Sequence, residues 1–412
     1  MRVPPELRPV LPPAAILVAA PLALWIGPSL PPSIAGLKEL GAYFVLLAAA
    51  ALALWFNRGR AFVAAMSLLL AYAGYRYALD FGIESFVLRA VVTSAVVLVP
   101  LNLLVALVLP ERGVVHHGDY RWIFVAVGEV LLVCWIGASG RSDLSGAAWQ
   151  DLLNHWALRS PPAPLLGRLL FVAAIGAAVW RAWPHKSAAV SPLAVGLAGM
   201  LVGFLVAGEW SAYPAVFGVF AAAAGLILVV ALLQESHRMA FNDELTGLPG
   251  RRALLEAMAA LGPGYTIAMA DVDHFKSFND THGHDIGDQV LKLVAARLAE
   301  TGGGARAFRY GGEEFTVLFP GKSRDEAEPH LEATRMAVET YPMAVRGEDR
   351  PRDTEEGAKR RQDAGPDKVL SVTISIGLAA PATPGVPPMQ VLKAADEALY
   401  RAKRAGRNRV SR

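Results

Sequence analysis

The sequence predicts two unlike parts. Residues 1–233 read as an all-α, polytopic transmembrane bundle of about eight helices, and residues 243–412 as an α+β domain, with a linker helix over 234–242. Three observations carry this. Charge is uneven: residues 1–233 hold 14 Lys/Arg and 10 Asp/Glu, whereas residues 234–412 hold 25 and 26. Apolar runs long enough for a bilayer recur through the first part only. After Gln234 the apolar pattern switches to alternating helical and strand periods.

A helix crosses the hydrocarbon core with about 20 mostly apolar residues. Runs of that kind lie near residues 10–30, 40–56, 61–79, 86–109, 122–138, 165–183, 190–207 and 212–233. Arg2 and Arg8 before the first run resemble a signal peptide. Prolines interrupt its apolar core, however, and further spans follow, so it reads as a retained span. With the N-terminus inside, the inner loops hold Arg2, Arg8, Arg58, Arg60, Arg112, Arg121, Arg181 and Lys186. The outer loops hold Lys38, Arg141 and Arg159, with Arg76, Arg89 and Arg168 near outer helix ends. This bias places the N-terminus and, after an even number of spans, the C-terminal domain in the cytoplasm.

Within the bundle Glu129 falls mid-span, where a carboxyl is costly. A hydrogen-bonded helix contact is the favoured reading and a functional group the second. His116 and His117 lack further obvious ligands and read as a plain loop. Trp149 and Trp156 share a helical face in the long segment 139–163, which suits an interfacial segment; ligand sensing there is a minority reading. Cys134, the single cysteine, excludes a disulfide framework. No basic block marks a nucleic-acid partner.

In the second part, helices are expected over 251–261, 287–299, 324–340 and 389–403, and strands over 265–270, 305–310, 315–319 and 369–376. Gly311-Gly312-Glu313-Glu314 joins two of those strands as a tight hairpin. Residues 346–368 carry seven basic and seven acidic side chains and read as a solvated insertion. If the strand ending at Asp271 neighbours the hairpin, Asp271 and Glu313/Glu314 converge. Converging carboxylates repel, and a hard divalent cation such as Mg2+ relieves them. The backbone N–H groups turning at His274-Phe275-Lys276, with that lysine, suit phosphates. Lys403 and Arg407 lie four apart on one face of the last helix. Metal and cations together indicate a nucleotide phosphate site; solvated surface charge is the alternative.

The blocks Asp243-Glu244-Leu245-Thr246-Gly247-Leu248-Pro249, Asp271-Val272-Asp273-His274-Phe275-Lys276-Ser277-Phe278-Asn279-Asp280 and Gly283-His284-Asp285-Ile286-Gly287-Asp288 occur in series. They are followed by Arg309-Tyr310-Gly311-Gly312-Glu313-Glu314-Phe315, Ser375-Ile376-Gly377 and a run from Ala395 to Lys403. In that order they resemble the GGDEF family of diguanylate cyclases, in its GGEEF form; residues 1–233 take no part in the resemblance.

The resemblance implies a central sheet like that of nucleotidyl cyclases and the polymerase palm. It also implies condensation of two GTP into cyclic di-GMP with release of two pyrophosphates. Asp271, the Val272 carbonyl and Glu313 would bind Mg2+ (or Mn2+), with Glu314 a further ligand or electrostatic partner. Glu313, Glu314 and Lys276 are the catalytic candidates, Glu313 helping to deprotonate the 3′-hydroxyl. Asn279 and Asp288 would read guanine. Lys276, Lys403 and Arg407 would face the β- and γ-phosphates, helped by the backbone of His274 and Phe275, with Gly311 and Gly312 leaving room for the nucleotide. Each domain supplies half a site, so a homodimer is expected, regulated through a sensory transmembrane part in the bacterial cytoplasmic membrane. Gly302 and Ala305 replace the family's Arg-x-x-Asp, so no high-affinity product-inhibition site is expected. The other reading is a catalytically silent domain that binds GTP or docks proteins.

Overall fold

The computed structural model describes residues 8–26, 32–111, 113–114, 121–139, 163–183, 190–344, 369–383 and 385–412. His116, His117, Trp149, Trp156 and the insertion 346–368 lie outside the described residues. The chain divides into two compact units, Met1–His237 and Arg238–Arg412.

The first unit is helical. Its described helices are α1 (Leu11–Ile26), α2 (Pro32–Trp55), α3 (Gly59–Leu79), α4 (Phe86–Val108), α5 (Arg121–Ser139), α6 (Leu165–Ala182), α7 (Pro192–Glu209) and α8 (Pro214–Phe241). Five, α3, α4, α6, α7 and α8, are long and apolar enough to cross a membrane. The apolar stretches Leu11–Ile26, Leu40–Trp55 and Trp122–Ala138 are shorter, so eight crossings is an approximate count. Small residues bring the helices close. A Cβ on Gly196 would fall 2.2 Å from Cβ of Ala231, so α7 and α8 touch nearly backbone to backbone there. Around them pack Tyr72, Tyr75, Phe171, Phe204 and Phe217, all fully buried, and Tyr75 donates its hydroxyl to the Ser211 carbonyl at 2.6 Å. The last helix runs on past the apolar stretch to Phe241.

The second unit is built on a five-stranded sheet in the order β2-β3-β1-β6-β7. The strands are β1 (Tyr265–Val272), β2 (Arg306–Arg309), β3 (Glu314–Pro320), β6 (Ile374–Ala379) and β7 (Val410–Ser411). A two-residue pair, β4 (Met343–Ala344) with β5 (Val369–Leu370), stands apart. The first four strands pair antiparallel, and β7 joins β6 in parallel. All eight residues of β1 are buried, as expected of a central strand covered on both faces. Alternation sends Ala268, Ala270 and Val272 to one core, where they meet α11 (His284–Ala299) and α12 (Arg324–Glu339). Ile267 and Met269 face the other core, formed with α9 (Arg251–Ala259) and α13 (Pro388–Arg404).

Several expected boundaries move. The strand expected over 369–376 divides into β5 and β6, and the longer piece runs on to Ala379. A short helix, α10 (Phe275–His282), follows β1 directly, and β7 was unforeseen because two residues carry no periodicity. Gly377 serves close approach: a Cβ there would lie 2.0 Å from the Leu399 nitrogen and 2.3 Å from the Ala395 oxygen. The backbone of α13 therefore rests on β6.

Candidate active site at one end of the sheet

The adjacency on which the carboxylate pair depends is present. Strands β1 and β3 are neighbours, and Asp271 stands directly opposite Glu314 in the register. The Val272 N–H points to the Glu313 carbonyl at 3.4 Å, which ties the hairpin turn to the end of β1. Asp271 is only 4% exposed. Its countercharge is Lys403, carried in on α13, with Nζ 2.7 Å from Oδ1.

Burial pushes the Asp271 carboxyl up from its ordinary range, against the pull of Lys403 and, more weakly, Arg407. Glu313 is raised too, first by burial and then by the negative charges of Asp271 and Glu314. Two carboxyls raised by burial, the second also by the charge of the first, suit a divalent cation, and the donors are all oxygen, as a hard ion prefers. Among the described residues no three acidic, His or Cys side chains are already drawn together as a metal cluster. The ammonium of Lys403 stands against Asp271 instead.

Neither Gly311 nor Gly312 takes a left-handed conformation, so backbone strain is not why the hairpin uses glycine. A Cβ on Gly311 would lie 3.2 Å from Oε2 of Glu314, and one on Gly312 would meet nothing within 4 Å among the described residues. They leave space. On the adjoining α13 face, a cavity of about 450 Å³ is bordered by Glu314, Lys403, Asp396 and Tyr400.

After β1 the chain turns at His274, whose φ of 57° is left-handed, and enters α10. The side chain of Phe275 is buried in the core, so only its backbone is available to a ligand, along with the N–H groups of the helix's first turn, which a helix leaves without an internal acceptor. Lys276 and Asp288 are exposed. Asn279 lies against Gly287, next to Asp288 in sequence: its buried Oδ1 has no hydrogen-bond partner among the described residues, and a Cβ on Gly287 would fall 1.8 Å from it. Arg407 follows α13 with φ of 63°, its N–H donating to Ala402. Asp271, Val272, Glu313, Glu314, Lys403 and Arg407 thus gather at one sheet end, while Asn279 and Asp288 belong to α10 and α11. Gly302 and Ala305 lie in the turn before β2, where Gly303 and Gly304 take φ of 74° and 75°.

Two supporting residues escaped sequence reasoning. Asp273 is a buried junction, accepting from Thr373 Oγ1 (2.7 Å), Ser375 Oγ (2.6 Å) and the Asn408 N–H (3.0 Å). Asn408 also engages Glu339 and Arg335 of α12. The second, Arg309, donates to the Gly312 carbonyl (2.6 Å) and to Asp243 Oδ1 (2.7 Å), joining the hairpin turn to the segment after α8. Burial pushes the Asp243 carboxyl up, but hydrogen bonds from Thr246 and the pairing with Arg309 outweigh it and hold it below its usual range. The only signal available was that both residues fall inside the motif blocks.

Comparison with known proteins finds relatives of the second unit. Residues 240–409 match the family model described as diguanylate cyclase, GGDEF domain. The chain is 39% identical over 189 residues to the response regulator PleD of Caulobacter vibrioides, covering 43% of this chain and 37% of that protein. It is 37% identical over 186 residues to the diguanylate cyclase DgcP of Pseudomonas aeruginosa, covering 43% and 25%. A solved structure of the coiled coil and GGDEF domain of DgcB from Caulobacter crescentus with c-di-GMP aligns at 32% identity and TM-score 0.37, covering 43% of this chain and 88% of that one. The chain thus spans well under half the length of those two relatives, and the likeness rests on its second unit. Residues 240–409 of this chain are a GGDEF domain.

Proposed function

We propose that the chain is a membrane-anchored diguanylate cyclase that joins two GTP molecules into cyclic di-GMP and releases two pyrophosphates. The observation that carries this reading is the meeting of Asp271 with the Glu313-Glu314 turn on neighbouring strands, with Lys403 beside them. Relatives named as diguanylate cyclases support the same reaction class.

Asp271, the Val272 carbonyl and Glu313 would hold Mg2+ or Mn2+, with Glu314 as a further ligand. When bound, the ion supplies Lewis-acid polarisation of the α-phosphate and stabilises charge on the departing pyrophosphate. Lys403, released from Asp271, turns with Lys276 and Arg407 to the β- and γ-phosphates, while the N–H groups at His274 and Phe275 add further donors. Asn279 and Asp288 read guanine, because a carboxylate accepts from N1–H and the 2-amino group together and adenine offers no such pair. Glu313 takes the proton of the 3′-hydroxyl as the 3′-O–P bond forms and the α–β phosphoanhydride bond breaks. Positioning does most of the work.

One domain binds one GTP, so the reaction needs two copies facing each other. In this reading the protein lies in the bacterial cytoplasmic membrane, with the N-terminus and the GGDEF domain in the cytoplasm and the helical unit acting as sensor; the five long apolar helices support a membrane location. The test is GTP with Mg2+ supplied to the full chain in lipid nanodiscs, with product identified by chromatography. Cyclic di-GMP from the wild type and none from Glu313→Gln supports the reading. Retained GTP binding without product overturns it in favour of a silent GTP-binding module.

A further inference from the structure

Between α3, α4 and α5 lies a cavity of about 460 Å³, within the range of small-molecule sites. Its walls are mostly aliphatic, yet three helices bring polar groups to one place in it. Ser67 comes from α3, Asn102 from α4 and Glu129 from α5. The Asn102 amide nitrogen donates to Glu129 Oε2 at 3.0 Å and to Ser67 Oγ at 3.3 Å. No further partner for the Glu129 carboxyl is found among the described residues. Such a group in an apolar wall is costly unless something satisfies it. A half-open, mostly apolar cleft in which Ser67, Asn102 and Glu129 converge suits a molecule of the same pattern.

We propose that this cavity binds a neutral lipophilic alcohol or phenol, whose hydroxyl bonds the Ser67–Asn102–Glu129 corner while its hydrocarbon body fills the aliphatic remainder. A hydroxyl both donates and accepts, so it pairs with the free carboxyl oxygen whether or not that carboxyl carries a proton. A carboxylate ligand meets Glu129 unfavourably, and a pure hydrocarbon leaves the corner unsatisfied. The site is separate from the sheet of the GGDEF domain and does not depend on the cyclase reading.

Cys134, the chain's single cysteine, also borders this cavity and serves as the reporter. Full-length protein in nanodiscs is treated with monobromobimane, a small permeant reagent that fluoresces on reacting with a thiol. 1-Decanol or decane is added at equal concentration in the bilayer. Decanol is expected to slow labelling about tenfold in the wild type and less than about twofold in Glu129→Ala and Asn102→Ala, with decane inert in all three. Thermal unfolding checks the folding of each variant, and decanol is expected to raise the midpoint of the wild type alone. The proposal fails if decane protects as well as decanol, if decanol protects the variants equally, or if decanol leaves the labelling rate unchanged. It also fails if Cys134 of the folded wild type never labels, since the chamber is then filled by lipid or by the chain itself.

Discussion

Lys403 Nζ lies 2.7 Å from Asp271 Oδ1, so the most buried carboxylate of the candidate site has a countercharge supplied from the last long helix. The Asp271 side chain is 5% exposed and that of Lys403 32%. Removing the lysine strands a buried charge, which costs more than the pair contributes. Lys403→Met should therefore lower the thermal midpoint of the metal-free protein, by the equivalent of about 2 kcal/mol. Added Mg2+ should restore more of that loss than it adds to the wild type, because the ion replaces the missing positive charge. Unfolding curves with and without Mg2+ check both statements.

Asp273 gives a second prediction. Asp273→Ala leaves Thr373, Ser375 and the Asn408 N–H without their shared acceptor and should cost about 3 kcal/mol. Product formation should fall as well, since Asn408 directly follows Arg407. Asp273→Asn keeps part of the network and should fall between. Thermal midpoints and initial rates on the same preparations make the comparison.

Gly287→Ala tests guanine reading. The new methyl meets Asn279 Oδ1 and must push that side chain away. The KM for GTP should rise about tenfold while kcat changes much less. In an Asn279→Ala background the same substitution should add little, because the obstruction is gone. Steady-state kinetics on the two single variants and the double variant give the answer.

Acid sensitivity should trace in part to Asp243. Its folded carboxyl ionises more readily than the unfolded one, which titrates at about 3.9. The stabilisation is therefore complete above that value and disappears as pH falls through the lower folded value. Asp243→Asn should lower the thermal midpoint at neutral pH. The difference from wild type should shrink as the medium is acidified below about pH 4, as thermal scans across that range will show.

Much of this architecture was legible because it is local. Apolar runs set the helices of the first unit, and alternation set β1 and β3, whose pairing brings Asp271 to the hairpin. What escaped is what joins distant residues. Asp273 meets Thr373, Ser375 and Asn408, each 100 or more residues away along the chain, and no spacing announces that. Arg309 likewise reaches Asp243 across 66 residues. The resemblance assigned Lys403 to phosphates; its pairing with Asp271 depends on how α13 is seated, which periodicity does not specify. The strand expected to start at residue 369 begins at Ile374, because the β-rich run before it divides between two sheets.

The seat of α13 on Gly377 has one more consequence. With main chain resting on main chain, no layer of side chains remains there to yield, and the helix cannot slide over the strand by small repacking steps. The cations at its end travel with the sheet as one stiff piece. Under the proposed regulation, a signal arriving from elsewhere has little freedom to bend such a part and would act on where the whole piece stands and what it meets.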